Sequence, residues 1–223
     1  MTDKEYENRQ NFEMGHWPEL RQGWNSFLQL IFAGREVSKE LKQLVFLASS
    51  MASGCRHCQS HGAYHLHQIG MSEEKILSIW NLEESEHFTE AEKAALNLAV
   101  AGGSSPNATE ASHFAEMRKH FTDVQVIEVV AVIAAGGFLN RWNDTIATVT
   151  DQESIDFAEQ VLSRVGWEAG KHKGAAHDPR PAHPLILGWT KRYPTRGRRP
   201  LRRTSSVSLG QPACGGAFLA LAG

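Results

Sequence analysis

Apolar residues recur at three- and four-residue spacing along most of the chain, and this spacing predicts helices. Leu41, Leu44, Val45, Leu47, Ala48 and Met51 fall on one broad face at about 3.6 residues per turn. No run alternates strictly between apolar and polar with the Val, Ile and Thr content of a strand, so the expected class is all-α. Punctuation then sets the boundaries. Pro18 opens a first helix through Phe32, because a proline at the first helical position loses only an amide that would be unpaired anyway, and Gly34 ends it. A second helix covers 38–52, and Gly54 breaks the pattern. A third begins near Cys55 and runs through His67 to Gly70, which is placed to cap it in a left-handed conformation. Ser72 caps a short segment carrying Ile76, Leu77, Ile79 and Trp80, and Thr89 with Glu92 makes a capping box before Ala94, Leu96 and Leu98. The stretch 102–109, GGSSPNAT, reads as a loop, after which Thr109 caps a helix through Phe121. Thr122 with Gln125 opens the longest helix, 124–149, and a last one covers 152–165 before Gly166 stops it.

The long helix is apolar to Leu139 and then polar at Asn140, Arg141, Asn143 and Asp144, a run that suits either a solvated helix end or the lining of a site. Its most apolar stretch, 129–139, is shorter than the roughly 20 residues a bilayer crossing takes and adjoins Glu128, so a buried helix and no membrane partner are expected. The length of 223 residues and 41% hydrophobic content suit a sizeable core. A net charge of -2 favours neither nucleic acid nor anionic lipid, which leaves small molecules or proteins as partners. The N-terminus lacks the apolar segment of a secretory signal, so the expected location is cytoplasmic, with thiols facing a reducing compartment. Three parts are expected: a polar N-terminal segment (1–16), a helical domain (17–174) and a basic tail (175–223), which has too few apolar groups to order and holds Cys214.

Chemistry concentrates in the third helix. Cys55 and Cys58 lie three apart in its first turn, which puts their Cα atoms about 5–6 Å apart, within disulfide reach. A helix N-terminus stabilises a thiolate, so a lowered thiol pKa is expected. His61 follows Cys58 by one turn on the same face, where an imidazole can take the Cys58 proton or pair with the thiolate. His57 points elsewhere by helical geometry, yet can reach the site from its rim. Zinc is a rival, because Cys55, Cys58, His61 and His65 share a third of the helix circumference. The helix rise opposes it: Cys55 and His65 are about 15 Å apart along the axis, and ligands must sit about 2.0–2.3 Å from one ion. A zinc site would need a ligand from elsewhere, so no metal and no bound cofactor are expected.

The segment SSMASGCRHCQSHGAYHL, with its preceding amphipathic helix and the later FLNRWNDTIATVTD, resembles the alkylhydroperoxidase D and carboxymuconolactone decarboxylase family. The resemblance implies an alkylhydroperoxidase D-like bundle of about seven or eight helices. It also implies a thiol-dependent peroxidase in which Cys58 attacks a hydroperoxide, Cys55 resolves to a disulfide, His61 serves the proton relay and an external dithiol or disulfide reductase restores the pair. His57 matches a histidine found before the second cysteine in some members. Members are commonly oligomers that bury the site at a subunit contact, which Phe12, Trp17, Trp24 and Phe27 could supply here, although core packing suits them equally. Two departures stand out. Gln43 occupies the position, twelve residues before Cys55, where redox members usually carry a glutamate, and Glu40 one turn earlier is the candidate stand-in for the proton relay. The histidine stands three rather than four residues after the second cysteine. Alternatives are a redox sensor, a zinc-stabilised interaction domain, or a decarboxylase of the family's other branch, which the cysteine pair disfavours.

Overall fold

The computed structural model describes residues 13–174. The expected basic tail, Cys214 and Phe12 lie outside the described residues. Among the described residues the architecture is all-α, with no strand. Its α-helices are α1 (Pro18–Phe32), α2 (Lys39–Ser53), α3 (Arg56–Gln68), α4 (Glu73–Leu77), α5 (Glu90–Gly103), α6 (Ala111–Met117), α7 (Asp123–Ile146) and α8 (Gln152–Val161). Short 3-10 turns follow α4 and α8, and a third covers Gly170–His172.

Capping decides where these helices begin. Ser38, Ser72, Thr89 and Thr122 each accept the amide three residues on, and Thr89 with Glu92 and Thr122 with Gln125 close full capping boxes. Gly54, Gly70 and Gly166 take left-handed φ values of 78°, 90° and 76°, which let the chain turn sharply after a helix. Three boundaries differ from the pattern. Glu110, not Thr109, caps α6, because the Asn107 side chain takes the Thr109 amide into its own turn at 2.9 Å. That helix stops at Met117, where turns through His120 and Phe121 re-aim the chain for the Thr122 cap. The long helix ends at Ile146, three residues early, because Ala147 adopts a left-handed φ of 54° and the Thr148 amide returns to the Asn143 carbonyl.

Helix α2 is central. Leu44, Val45, Leu47 and Ala48 are wholly buried, and the helix packs against α3, α5 and α7. The contact with α5 is so close that a Cβ on Gly103 would lie 2.5 Å from the Ser49 carbonyl oxygen. At 24 residues and a mean hydropathy of 1.5, α7 meets the length and composition of a membrane crossing, whereas its apolar middle alone does not. It packs in the helical core through Val126, Val129, Val132 and Ile133 while leaving Val124, Ile127 and Phe138 exposed. Glu128 on α7 pairs at 2.8 Å with Lys42 of α2, whose buried ammonium also donates to the Ile31 and Ala33 carbonyls at the end of α1. One lysine thus ties three helices together. Met14, expected in a polar segment, is buried, and Glu13 accepts a hydrogen bond from Thr148.

Candidate functional site: a buried cysteine pair in a histidine-rimmed cavity

Gly54 closes α2 in its left-handed conformation, so Cys55 becomes the N-cap of α3 and its sulfur accepts the Cys58 amide at 3.3 Å. The two sulfurs lie 2.8 Å apart, both thiols are free, and each cysteine is 1% exposed. The expectation of a lowered thiol pKa is corrected at Cys58. Burial pushes its thiol well above the ordinary value, the adjacent Cys55 thiol adds to the rise, and the Asn143 amide 3.5 Å from its sulfur opposes it. The helix amide that would stabilise a thiolate points at Cys55 instead.

Three histidines of α3 share the cavity with Cys58. The imidazole of His61 turns toward the first turn of α8: Nδ1 is 3.4 Å from the Ser154 hydroxyl, and Nε2 is 3.3 Å from the Asp151 carboxylate, close but without hydrogen-bond alignment. Burial, helped by repulsion from His65, holds His61 at about 4, so it is neutral near pH 7. The partly exposed Asp151 carboxylate does not reverse this. Of the two positions left open for His57, the structure has the one in which it reaches the cavity. His57 is buried, with Nδ1 3.0 Å from the Thr150 hydroxyl and its ring 4.4 Å from that of His61. Burial drives its pKa well down, and His61 and His172 add to the shift. The chain after α7 returns over α3 and covers a second face of it. Thr150 lies against His57, Phe157 stacks on His67 at 4.6 Å, and the Trp167 indole donates to the Arg56 carbonyl.

The cavity holds about 240 Å³. Leu28 and Phe32 of α1, Phe46 of α2 and Leu139 of α7 supply the apolar part of the lining, and Asn25 and Asn143 add polar groups to those of the thiol and histidines. Gln43 lines the cavity and Glu40 does not: Glu40 is exposed, so the proposed stand-in for the missing glutamate is not brought to the site. The polar end of α7 divides between the two readings. Asn143 is buried beside Cys58, Asn140 is buried at a separate polar cavity, and Arg141 and Asp144 are exposed. Of the aromatics expected at a subunit contact, Trp24 is buried and stacked on Phe138 at 4.3 Å, while Trp17 and Phe27 are exposed. No cluster of three metal-ligating side chains occurs among the described residues. Sequence reasoning missed Thr150, Asp151, Ser154 and the α1 part of the lining. The spacing of Asn25, Leu28 and Phe32 was a usable signal for that part, being one helical face.

A model of the carboxymuconolactone decarboxylase family matches residues 18–101, from the start of α1 almost to the end of α5 and across both cysteines. Over these residues the chain is similar to members of this family. Among solved structures, the apo debrominase Bmp8 matches at 29% identity and a TM-score of 0.65, over 68% of this chain and 82% of that one. A cysteine-to-alanine variant of Bmp8 in complex with 2,3,4-tribromopyrrole matches at 28% identity and a TM-score of 0.65, over 68% and 81%. The alkylhydroperoxidase AhpD core of a peroxidase-related protein from Ralstonia eutropha matches at 19% identity and a TM-score of 0.58, over 64% and 76%, and shows the fold alone. A search of the curated proteins found no match. The family model stops before α7 and α8, so Asn143, Thr150 and Asp151 lie beyond it.

Proposed function

We propose that this protein is a thiol-dependent reductase of small apolar electrophiles, with organic hydroperoxides as the first substrate class and Cys55 and Cys58 as the redox pair. The observation that carries the reading is a pair of sulfurs 2.8 Å apart, with Cys58 lining a cavity together with Leu28, Phe32, Phe46 and Leu139. Such a lining suits the organic part of a hydroperoxide. The Cys58 thiol loses its proton within the cavity and attacks the peroxide, the O–O bond breaks, and the alkoxide leaves as an alcohol. The resulting sulfenic acid is attacked by Cys55, water leaves, and a disulfide forms. An external dithiol returns both thiols.

A second reading, reductive dehalogenation, is favoured by the likeness to the debrominase Bmp8. In it Cys58 would take the halogen, the carbanion would pick up a proton, and Cys55 would expel halide to give the same disulfide. Both readings are tested together. The reduced full-length protein is given cumene hydroperoxide, hydrogen peroxide or 2,3,4-tribromopyrrole with dithiothreitol, alongside Cys58→Ser and Cys55→Ser variants. Peroxide loss, bromide release and free thiols are followed. The expected result is turnover of cumene hydroperoxide in preference to hydrogen peroxide, a loss of at least about 100-fold in Cys58→Ser, and a single turnover in Cys55→Ser. Bromide release without peroxide turnover selects the second reading. One stoichiometric oxidation without turnover means a redox sensor. Equal behaviour of Cys58→Ser and parent, with no loss of two thiols, rejects the thiol chemistry altogether.

A further inference from the structure

Gln43 leaves the cavity without the carboxyl group that an acid–base relay requires, because an amide neither takes nor gives a proton in the working pH range. The carboxylate nearest the cavity imidazoles comes from a different helix. Asp151 is the N-cap residue of α8, yet its side chain makes no cap hydrogen bond. Oδ2 instead lies 3.3 Å from Nε2 of His61, a cavity residue, and Asp151 keeps 33% of its side chain exposed whereas His61 keeps 18%. Ser154, one turn along α8, faces the other ring nitrogen at 3.4 Å. The first turn of α8 therefore faces both ring nitrogens, Nδ1 with a hydroxyl and Nε2 with a carboxylate that is close but not aligned for a hydrogen bond.

We propose that Asp151 is the positioning residue of the reductive site, orienting His61 and stabilising its protonated form, so that this pair supplies the acid–base function Gln43 cannot. The inference rests on the thiol-reductase reading. His61 takes the proton that Cys58 loses, holds it as imidazolium beside the Asp151 carboxylate, and gives it to the oxygen or carbon that leaves when the substrate bond breaks. No net proton is consumed between those two steps. The other groups around His61 act against the charged form or are neutral: His57 and His65 on α3 repel it, and the Cys58 thiol, Ser154, Asn143 of α7 and Gln43 of α2 carry no charge. Asp151 is therefore the carboxylate that α8 sets against His61, whose burial disfavours the imidazolium.

The test uses the full chain and the Asp151→Asn and Asp151→Glu variants. The Asp151 side chain makes no cap hydrogen bond, so Asn leaves the start of α8 in place, and matching thermal melts verify this. Two readouts are taken: the His61 imidazole titration by NMR, and the pH dependence of Cys58 oxidation by cumene hydroperoxide in single turnover. Asp151→Asn is expected to shift the His61 titration to lower pH and slow oxidation by roughly 10- to 100-fold, with the pH profile displaced, and Asp151→Glu to recover part of the rate. An unchanged titration overturns the pairing, and an unchanged rate and profile in Asp151→Asn overturns the role. If the parent protein itself fails to oxidise Cys58, the thiol-reductase reading and the Asp151 role fall together, and the titration then reports the pairing alone.

Discussion

At the scale of single residues, the thiol proposed to attack is the one whose thiolate burial disfavours. Cys55 takes the helix amide that sequence reasoning assigned to the pair, and Cys58, 1% exposed, has its thiol held well above the ordinary range by burial. Reduced protein should therefore react with iodoacetamide at pH 7.5 more slowly than a free thiol, and its Cys58 rate should still be climbing above pH 9. The shape of that profile separates proton loss from mere access, because restricted access scales all rates alike. Asn143 opposes the upward shift through its 3.5 Å contact with the Cys58 sulfur. Replacing it by alanine should move the profile further up and slow peroxide oxidation by about 5-fold, the equivalent of one modest hydrogen bond of about 1 kcal/mol. A profile identical to that of the parent would show that Asn143 does not tune the thiol. In the sequence, Cys55, Cys58 and His61 were legible because they are three apart on one helix. Asn143 was legible only as one of four residues in an undecided polar run, since its reach to Cys58 crosses 85 residues of chain.

Among the elements, the α2–α5 crossing sets the frame in which α2 and α3 present the site. Gly103 can come so close to Ser49 because it has no side chain: a Cβ there would meet the Ser49 backbone at 2.5 Å from its oxygen and 2.7 Å from its Cα. Gly103→Ala should lose about 1–3 kcal/mol of stability by overpacking, despite the roughly 1 kcal/mol that alanine adds to helix propensity. Gly137 on α7 is the control, because a Cβ there meets nothing within 4 Å, and Gly137→Ala should gain about 0.5–1 kcal/mol. Urea titrations of both variants check the opposite signs, and a stabilised Gly103→Ala would mean the helices are not so tightly apposed. Helix starts were readable from sequence because a capping box is local, a side chain reaching three residues on. The displaced ends of α6 and α7 were not, because Asn107 and Ala147 act through backbone turns whose composition signal is weak.

For the whole molecule, the consequence of burying so many imidazoles is acid lability. His57, His61 and His65 all have pKa values below the ordinary value of about 6.5, His61 at about 4, because burial disfavours their charged forms. Between those limits the unfolded chain binds more protons than the folded one. Stability is therefore fully present above about pH 6.5 and is lost as the pH falls from there toward 4. His61 alone accounts for a loss on the order of 2 kcal/mol by pH 5, a large share of the about 5–15 kcal/mol a folded domain possesses. Urea midpoints at pH 7.5, 6.5, 5.5 and 5.0 should fall steadily, in a range where ordinary carboxylates stay ionised. A flat profile would mean that these histidines are solvated.

The sequence by itself determined the all-α class, the positions of most helix starts and the Cys55, Cys58 and His61 triplet. Each of these is written in spacings of three or four residues, which a helix converts directly into one face or one cap. Tertiary structure decided the rest of the site: that Glu40 faces away, that His57 faces in, and that Asn143, Thr150 and Asp151 converge on α3 from the far end of the chain. The physical reason is that reactivity here is set by burial and by which dipoles and charges lie within about 4 Å, and both depend on how α7 and α8 pack over α3.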